Sequence, residues 1–393
     1  MQHFDFIVNG GGMVGASVAL GLADLGFEIA LIEYAPPAAM PAADATFELR
    51  VSALAPASIA LLESLGVWSV IQAERVCPYR RMRVFDQNSS GDVTFDAAEI
   101  GAPYLGYIVE NKRVQAALWQ RIDQHEQIQA FTEVQPAQVQ MSEQQVQLLL
   151  DDGQMLRARW LLGADGARSW VRETLGLGAR TLDYGVYAQV LSVQTAYPQQ
   201  DITWQRFTSH GPEAFLPLAG QRASLVWYDS PDAVQQRAKQ DSASLLDALH
   251  TTFPAELGEI SHIEQQGYFP IRKMHAQRYH HQRAVLLGDA AHAIHPLAGQ
   301  GANLGFADVQ AWLQLMQEAK LQRARWAALA NANAYARARR LDNQMMQSAM
   351  DAFEVGFKQN QSLIRHARGA GMQLVAQNRW LRAQITRLAG GQR

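Results

Sequence analysis

Phe4-Asp5-Phe6-Ile7-Val8-Asn9-Gly10-Gly11-Gly12-Met13-Val14-Gly15, followed by Ala16 to Leu25 and then by Glu28-Ile29-Ala30-Leu31-Ile32-Glu33, is the stretch that decides the fold. Phe4 to Val8 has the composition of a short strand, Ala16 to Leu25 that of a helix, and Glu28 to Ile32 that of a second strand. A βαβ unit of about 30 residues with glycines at its first turn is the setting in which such glycines bind a dinucleotide. Gly10 permits the tight turn, Gly12 lets the backbone approach a pyrophosphate, and Gly15 lets the helix pack closely on the strand. The unpaired N–H groups at the helix start face the phosphates. Glu33 ends the second strand, where its carboxylate can accept hydrogen bonds from both ribose hydroxyls and disfavours a 2′-phosphate. The competing reading is a glycine-rich turn without a ligand. This motif alone does not separate FAD from NAD. Asn9 is out of character, since an apolar residue better suits the buried end of a parallel strand.

Two later segments have the same logic. Arg157 to Leu162 reads as a strand entering Gly163-Ala164-Asp165-Gly166, with Ser169 and Arg172 on the first turns of a helix. Asp-Gly by itself is only a turn signal; the apolar strand before it and the helix after it add to that. Ala284-Val285-Leu286-Leu287 reads as a strand ending in Gly288-Asp289. The chain then runs through Ala290-Ala291-His292 to Pro296-Leu297-Ala298-Gly299-Gln300-Gly301-Ala302-Asn303, and a helix begins near Gly301. Asp289 is placed to bind ribityl hydroxyls. The positive end of the helix would stabilise the anionic, reduced form of a flavin ring around N1 and the C2 carbonyl. In their order and separation the three segments resemble those of flavin-dependent aromatic hydroxylases, a resemblance that implies one FAD site.

At 393 residues the chain is long enough for two or three domains. Its 48% hydrophobic and 18% charged composition fits a folded protein, and a net charge of -3 gives no general case for nucleic acid. Cys77 is the only cysteine, which excludes an intrachain disulfide and suits a reducing compartment. The small residues near the N-terminus form the nucleotide motif rather than a cleavage site. No stretch approaches the roughly 20 apolar residues of a membrane-spanning helix. A cytoplasmic location is expected.

The three motifs, together with Arg50-Val51-Ser52-Ala53-Leu54, Gly106-Tyr107-Ile108-Val109-Glu110-Asn111, Phe215-Leu216-Pro217-Leu218, Leu225 to Pro231 and His295 to Gly301, resemble the FAD-dependent hydroxylases of ubiquinone biosynthesis. These lie within the single-component aromatic hydroxylases that resemble para-hydroxybenzoate hydroxylase. The resemblance covers residues from about 4 to about 360. It implies an α/β fold with a FAD-binding Rossmann-like domain (1–72 with 98–180 and 279–335), an interleaved, mostly antiparallel β-sheet substrate domain (73–97 with 181–278) and a C-terminal helical region (336–393). By motif, Gly10, Gly12, Gly15 and Glu33 would hold the ADP half. Arg50 and Asn111 would contact the flavin side, and Asp165 would support the pyrophosphate region. Asp289 and the loop residues Pro296, Gly299, Gln300, Gly301, Ala302 and Asn303 would hold ribityl and ring.

The implied chemistry is reduction of FAD by NAD(P)H or another external electron donor, then reaction with O2 to a C4a-hydroperoxide that attacks an electron-rich ring carbon. The implied substrate is a polyprenyl benzoquinol or phenol. Water must be kept out, or the hydroperoxide collapses to hydrogen peroxide. No second glycine fingerprint appears that would seat NAD(P)H. His292 and His295 are the candidates for a catalytic base, although histidines ahead of a Pro/Gly loop are at least as often structural. His-x-x-His without a nearby carboxylate or cysteine cluster is weak evidence for a metal, and no metal site is expected.

Val186 to Val193, Ile202 to Phe207, Ala214 to Pro217 and Ala223 to Tyr228 alternate as strands of a mostly antiparallel sheet, one face of which could roof the flavin. Trp204, Phe215, Leu216, Pro217 and Trp227 are candidates for an apolar wall, or else fill the sheet's own core. Phe215, Leu216 and Pro217 are chosen as substrate-binding residues because the resemblance is dense there. From Lys358 onward the chain has seven basic residues and no acidic one. Leu374, Leu381, Ile385 and Leu388 fall on one helical face, with Arg379 and Arg387 pointing away. Such a helix can lie on an anionic membrane surface, pack on its own domain with a solvated basic face, or pack on a partner subunit. The expected partners are therefore a polyprenyl aromatic substrate, a ubiquinone-biosynthesis complex and the inner membrane face through residues 358–393. The alternatives are a flavin hydroxylase of another aromatic, a prenyl reductase, a halogenase, a non-catalytic flavin subunit of a biosynthetic complex and, least, an NAD dehydrogenase.

Overall fold

The computed structural model describes residues 2–37, 39–254, 258–293, 301–322, 326–358 and 361–391. Its helices are α1 (Met13–Asp24), α2 (Pro56–Ser64), α3 (Trp68–Gln72), α4 (Asn111–Ile122), α5 (Trp170–Thr174), α6 (Pro231–Arg237), α7 (Ser242–Thr252), α8 (Gly301–Leu321), α9 (Leu329–Lys358), α10 (Ser362–Gln377) and α11 (Arg379–Ala389).

A six-stranded sheet organises the nucleotide-binding half, in the order His280–His281, Ala284–Leu286, Trp160–Gly163, Phe6–Asn9, Ile29–Glu33 and Ile128–Thr132. All its pairs are parallel except the first, which is antiparallel. The strands at its centre are buried along their whole length, as a parallel sheet covered on both faces requires. Register is what matters for the site. Gly163 stands opposite both Asn9 and Leu286, and Asn9 opposite Ile32. The three strands therefore finish level, and all three motifs leave from the same carboxyl edge of the sheet, where open α/β sheets bind ligands. The expected single strand Arg157 to Leu162 is split. Met155–Ala158 joins a four-stranded sheet, and Trp160–Gly163 joins the parallel one.

The second large element is an eight-stranded sheet, in the order His292–Ala293, Ile260–Ala276, Ala179–Thr195, Arg222–Asp229, Pro212–Leu218, Ile202–Phe207, Arg81–Asp86 and Asp92–Asp96. Only the Ile202–Phe207 and Arg81–Asp86 pair is parallel. All four strands read from the alternating pattern are present. One face carries Leu191, Val193, Trp204, Phe215 and Leu225 against Leu245 and Leu249 of α7. On the other face Leu216 and Leu218 pack with Ala53, Cys77, Tyr79 and Ile108 of a small sheet made of Val51–Leu54, Gly106–Glu110 and Cys77–Tyr79. That small sheet joins the two halves, and its first strand follows directly on Arg50.

Candidate active site

The glycines of the first motif divide by what a side chain would meet. At Gly10, with φ +106, a Cβ would lie 2.5 Å from the Ala164 carbonyl oxygen, and at Gly15 one would lie 1.8 Å from the Gly10 oxygen. Those two are glycine because the protein leaves no room. Gly12 is different. Its backbone is extended (φ −66, ψ −178), which any residue can adopt, and a Cβ there meets nothing within 4 Å. A Cβ at Gly301, the first residue of α8, likewise meets nothing within 4 Å. Two helix N-termini, those of α1 and α8, thus present bare backbone to open space at the edge where the sheet ends. This is a cradle suited to an anionic, extended ligand.

Glu33 is buried, its Oε2 accepting from the Gly11 N–H (2.7 Å) and its Oε1 from the Ala35 N–H (3.0 Å). Each oxygen keeps a lone pair for a ribose hydroxyl. From α4, Trp119 Nε1 donates to the Gly11 carbonyl at 2.8 Å and holds the loop against the helix.

Asn9 is explained by its partner. Its Nδ2 donates to Asp165 Oδ2 at 2.9 Å, and the Val171 N–H donates to the same oxygen at 3.1 Å. The residue that looked wrong for a strand end ties the first motif to the second, 156 positions apart. Asp165 Oδ1 is buried with no hydrogen-bond partner among the described residues. Burial raises the pKa of Asp165, and hydrogen bonds from Ser169, Val171 and Asn9 pull it back. An unpaired buried acceptor is costly and calls for a donor. A cofactor hydroxyl supplies one, whereas a phosphate oxygen does not.

The third motif is held from beneath by a residue to which the sequence reading gave no role. Asp308 of α8 is fully buried and accepts from three groups, the Gly288 N–H (2.9 Å), His292 Nε2 (2.6 Å) and Arg339 Nε (2.7 Å). Its carboxyl is held below the usual range. Burial opposes ionisation, but the charges and hydrogen bonds of His292 and Arg339 outweigh it. Arg339 continues to Asn343 (2.9 Å) and Asp342 (3.0 Å), and Asn343 to the Tyr279 hydroxyl (3.3 Å). His292 is buried within this network, so the structural alternative fits it and the catalytic-base reading does not. The sequence signal for Asp308 was an acid set in the apolar run Gly305-Phe306-Ala307-Asp308-Val309.

Asp289, one residue past the positive-φ Gly288, keeps solvent access while the surrounding protein crowds it. This crowding raises its pKa, and the charges of His292 and Arg50 oppose the rise. Arg50 thus acts on it across 239 positions of sequence, and the Asn303 bonds to Ala53 and Ala55 tie the start of α8 to the segment that follows Arg50. Val14 packs against the turn at Gly288 and the start of α8. A Cβ on Gly305 would lie 2.6 Å from its Cγ2, and one on Gly288 3.1 Å.

Asn303 departs from expectation. Its Oδ1 accepts from the Ala55 N–H (2.9 Å) and the Ser58 hydroxyl (2.7 Å), and its Nδ2 donates to the Ala53 carbonyl (2.8 Å). The side chain is engaged in pinning α8 to the segment after Arg50, leaving its backbone N–H, in the first turn of the helix, for a ligand. Ala302 is in the same turn. His295, Pro296, Gly299 and Gln300 lie outside the described residues.

Asn111 opens α4, takes the Ser52 hydroxyl on its Oδ1 (2.7 Å) and donates its N–H to the Arg50 carbonyl (3.0 Å). Just before it, buried Glu110 accepts from the Glu48 N–H (2.8 Å), Arg75 (3.0 Å) and Arg113 (2.8 Å). The two arginines bond in turn to the carbonyls of Pro41, Ala42, Ala43, Ala45 and Thr46. This ionic knot holds the proline- and alanine-rich loop that delivers Arg50. Nothing local in the sequence pointed to it.

The proposed apolar wall needs correction. Successive residues of a strand point to opposite faces, so Phe215, Leu216 and Pro217 cannot line one pocket together. Phe215 stacks on Trp204 (centroids 6.0 Å apart, planes 4° apart) in the core beneath α7, away from the small sheet. Trp227 lies under the Arg237 guanidinium, 3.7 Å from its ring centroid, and packs with that same core. Pro217 is two residues along from Phe215 and shares its face. Leu216 alone faces the small sheet. The large sheet descends near Arg50 at Gly267, where a Cβ would lie 3.0 Å from Leu49 Cδ1. Among the described residues no three His, Cys, Asp or Glu side chains group as a metal site would.

The profile of the FAD binding domain family matches residues 3–348. The chain belongs to this FAD-binding family. Over 390 residues, 99% of each chain, it is 40% identical to 3-demethoxyubiquinol 3-hydroxylase of Escherichia coli (strain K12). It is 32% identical to the mitochondrial ubiquinone biosynthesis monooxygenase COQ6 of Danio rerio, over 95% of this chain and 86% of that one. Among solved structures, pqsL of Pseudomonas aeruginosa, described as a probable FAD-dependent monooxygenase, superposes with a TM-score of 0.78 at 24% identity, covering 95% of this chain and all of the other. At that identity the likeness is one of fold. The FAD-binding fold, with its mixed sheets and C-terminal helices, is thus common to the chain and that solved structure.

Proposed function

We infer that this protein is an FAD-dependent monooxygenase that hydroxylates the ring of a polyprenyl benzoquinol or phenol in ubiquinone biosynthesis. The observation that carries this reading is the 40% identity to a 3-demethoxyubiquinol 3-hydroxylase across 99% of both chains. That span includes the open cradle at Gly12 and Gly301. Bound FAD would supply the electron storage and oxygen activation, with NAD(P)H or another external reductant as donor and O2 as co-substrate.

The chain's own residues bind, orient and exclude water. Gly10 and Gly15 shape the first turn, and Gly12 admits the pyrophosphate. Glu33 takes ribose hydroxyls, while Asp165 and Asp289 take hydroxyls further along the cofactor. Arg50, Asn111 and the α8 N-terminus face the ring. The wall over the reacting carbon comes from the sheet face that carries Leu216 and Gly267, so the substrate half is the part formed by 73–97 and 181–278. His292 shapes the floor and transfers no proton. The low demand for acid–base groups follows from the chemistry, since an electron-rich ring needs positioning and dryness more than a proton relay. A polyprenyl tail sets the place of work at a membrane surface or in a biosynthetic complex upon it.

Oxygen uptake by the holoprotein with its reductant, measured with and without a demethoxy quinol, tests the reading. Uptake coupled to a product heavier by one oxygen is expected, with the same quinol accumulating in a strain that lacks the gene. A non-catalytic subunit would show no substrate-dependent uptake.

A further inference from the structure

The two C-terminal helices dock on the body through their small and polar sides. On α11 the buried positions are Ala383 and Thr386, and Arg382 Nε reaches both Glu99 oxygens at 2.9 and 3.0 Å. Asn378 caps this helix through the Leu381 N–H (3.1 Å). On α10, Gly369 lies against Ser89, Gln373 donates to the Ser90 hydroxyl (2.9 Å), and Met372 packs on Gly91.

Met372 packs inward beside Phe207 and Phe357, while other large apolar residues of the two helices face solvent. Trp380 is 67% exposed, Leu388 63%, Leu374 61% and Leu363 83%. At 100° per residue, Trp380, Leu381, Ile385 and Leu388 span an arc of roughly 140° on α11. Leu363 and Leu374 fall within about 20° of each other on α10. A helix that packs only on its own domain buries its apolar arc; here the arc is outward and the ion-paired side inward.

We propose that α10 and α11 form a docking face for an anionic lipid surface, with Trp380, Ile385, Leu388, Leu374 and Leu363 entering the headgroup boundary. Charge selects this occupant over a second copy of the chain. From Lys358 to the end there are seven basic and no acidic residues, and the acids packed beneath, Glu99 and Asp86, are taken by Arg382 and Arg368. Exposed Arg387 lies about 20° outside the arc beside Trp380 and can reach headgroups from that flank. An amphipathic tryptophan suits the boundary itself. No helix among the described residues is long and apolar enough to cross a membrane, so contact is with one surface. The proposal rests on the hydroxylase reading only in that a polyprenyl substrate gives the contact its purpose.

The test is co-sedimentation of the full-length holoprotein with vesicles of phosphatidylcholine, alone or with one-third phosphatidylglycerol. The variant is Trp380→Ser/Ile385→Ser/Leu388→Ser, whose changes are all at exposed positions. The wild type should partition onto the anionic vesicles, and the variant should lose about tenfold or more of that partition. The variant should keep its flavin spectrum and its rate on a short-chain, water-soluble quinol. Equal binding by both proteins, or binding by neither, overturns the proposal. So does a wild-type dimer that ignores vesicles and that the variant turns into monomer. Vesicle binding without turnover of any quinol would sustain the docking face and sink the hydroxylase reading instead.

Discussion

Asp308→Asn removes one charge from the floor of the site with almost no change of shape. Asp308 accepts three hydrogen bonds, two of them, from the Gly288 N–H and His292, on Oδ2 and the third, from Arg339, on Oδ1. An asparagine can keep either side but not both. If its oxygen serves Gly288 and His292, its amide faces Arg339 Nε, donor against donor. Breaking a buried ion pair costs about 3–5 kcal/mol. Arg339 keeps Asp342 and Asn343, which places the loss near the lower end. With an unfolding entropy of about 2.1 cal/mol/K per residue, a loss of about 3 kcal/mol lowers the melting temperature of a chain this size by about 4 °C. The assay is thermal unfolding followed by release of flavin fluorescence. Because the folded pKa of Asp308 is depressed, its stabilisation is complete above the unfolded carboxyl value of about 3.9 and is lost as pH falls through the folded value. The gap between wild type and variant should therefore hold steady from pH 8 to about pH 5 and close only in stronger acid. A variant melting within 1 °C of wild type at pH 7 would refute the assignment of Asp308 as the hub.

The two glycines of the first motif should respond oppositely. Gly12→Ala should leave the apoprotein's melting unchanged and weaken FAD at least about tenfold in a fluorescence titration; Gly15→Ala, built 1.8 Å from a carbonyl oxygen, should disrupt the fold before any cofactor is added. Phe215→Ala should cost about 3–5 kcal/mol in denaturant unfolding and leave KM for the quinol unchanged, whereas a raised KM in a stable variant would restore it to the substrate wall. Burial pushes the Cys77 thiol up to about 12, with Asp201 adding to the rise, so a thiol reagent at pH 8 should leave the native protein unmodified and react once it is unfolded.

What the sequence made legible was what depends on neighbours along the chain. Gly12 and Gly15 act within one turn, and the strands of the roof alternate within themselves. Contacts across the fold were not legible. Asn9 looked misplaced until Asp165 stood beside it, and Arg50 had no reason to be near Asp289 before the small sheet joined the two halves. Asp308, five residues past the third motif, had no role because its partners, Gly288 and Arg339, lie a loop and a helix away. Of Phe215, Leu216 and Pro217 only Leu216 faces the small sheet, for a reason available beforehand, since a strand cannot turn three consecutive side chains the same way. The 17-residue strand Ile260–Ala276 escaped because Pro270 and paired glutamines break its alternation, and its pairing with Ala179–Thr195 shifts register.

The measurement that bears most directly on the whole account is turnover of a demethoxy quinol by the holoprotein under oxygen-18 gas in ordinary water, with the product analysed by mass. The account predicts one heavy oxygen atom on the ring and none when the label is supplied as water. A product labelled from water, or flavin reoxidation that yields hydrogen peroxide and no hydroxylated ring, would contradict it.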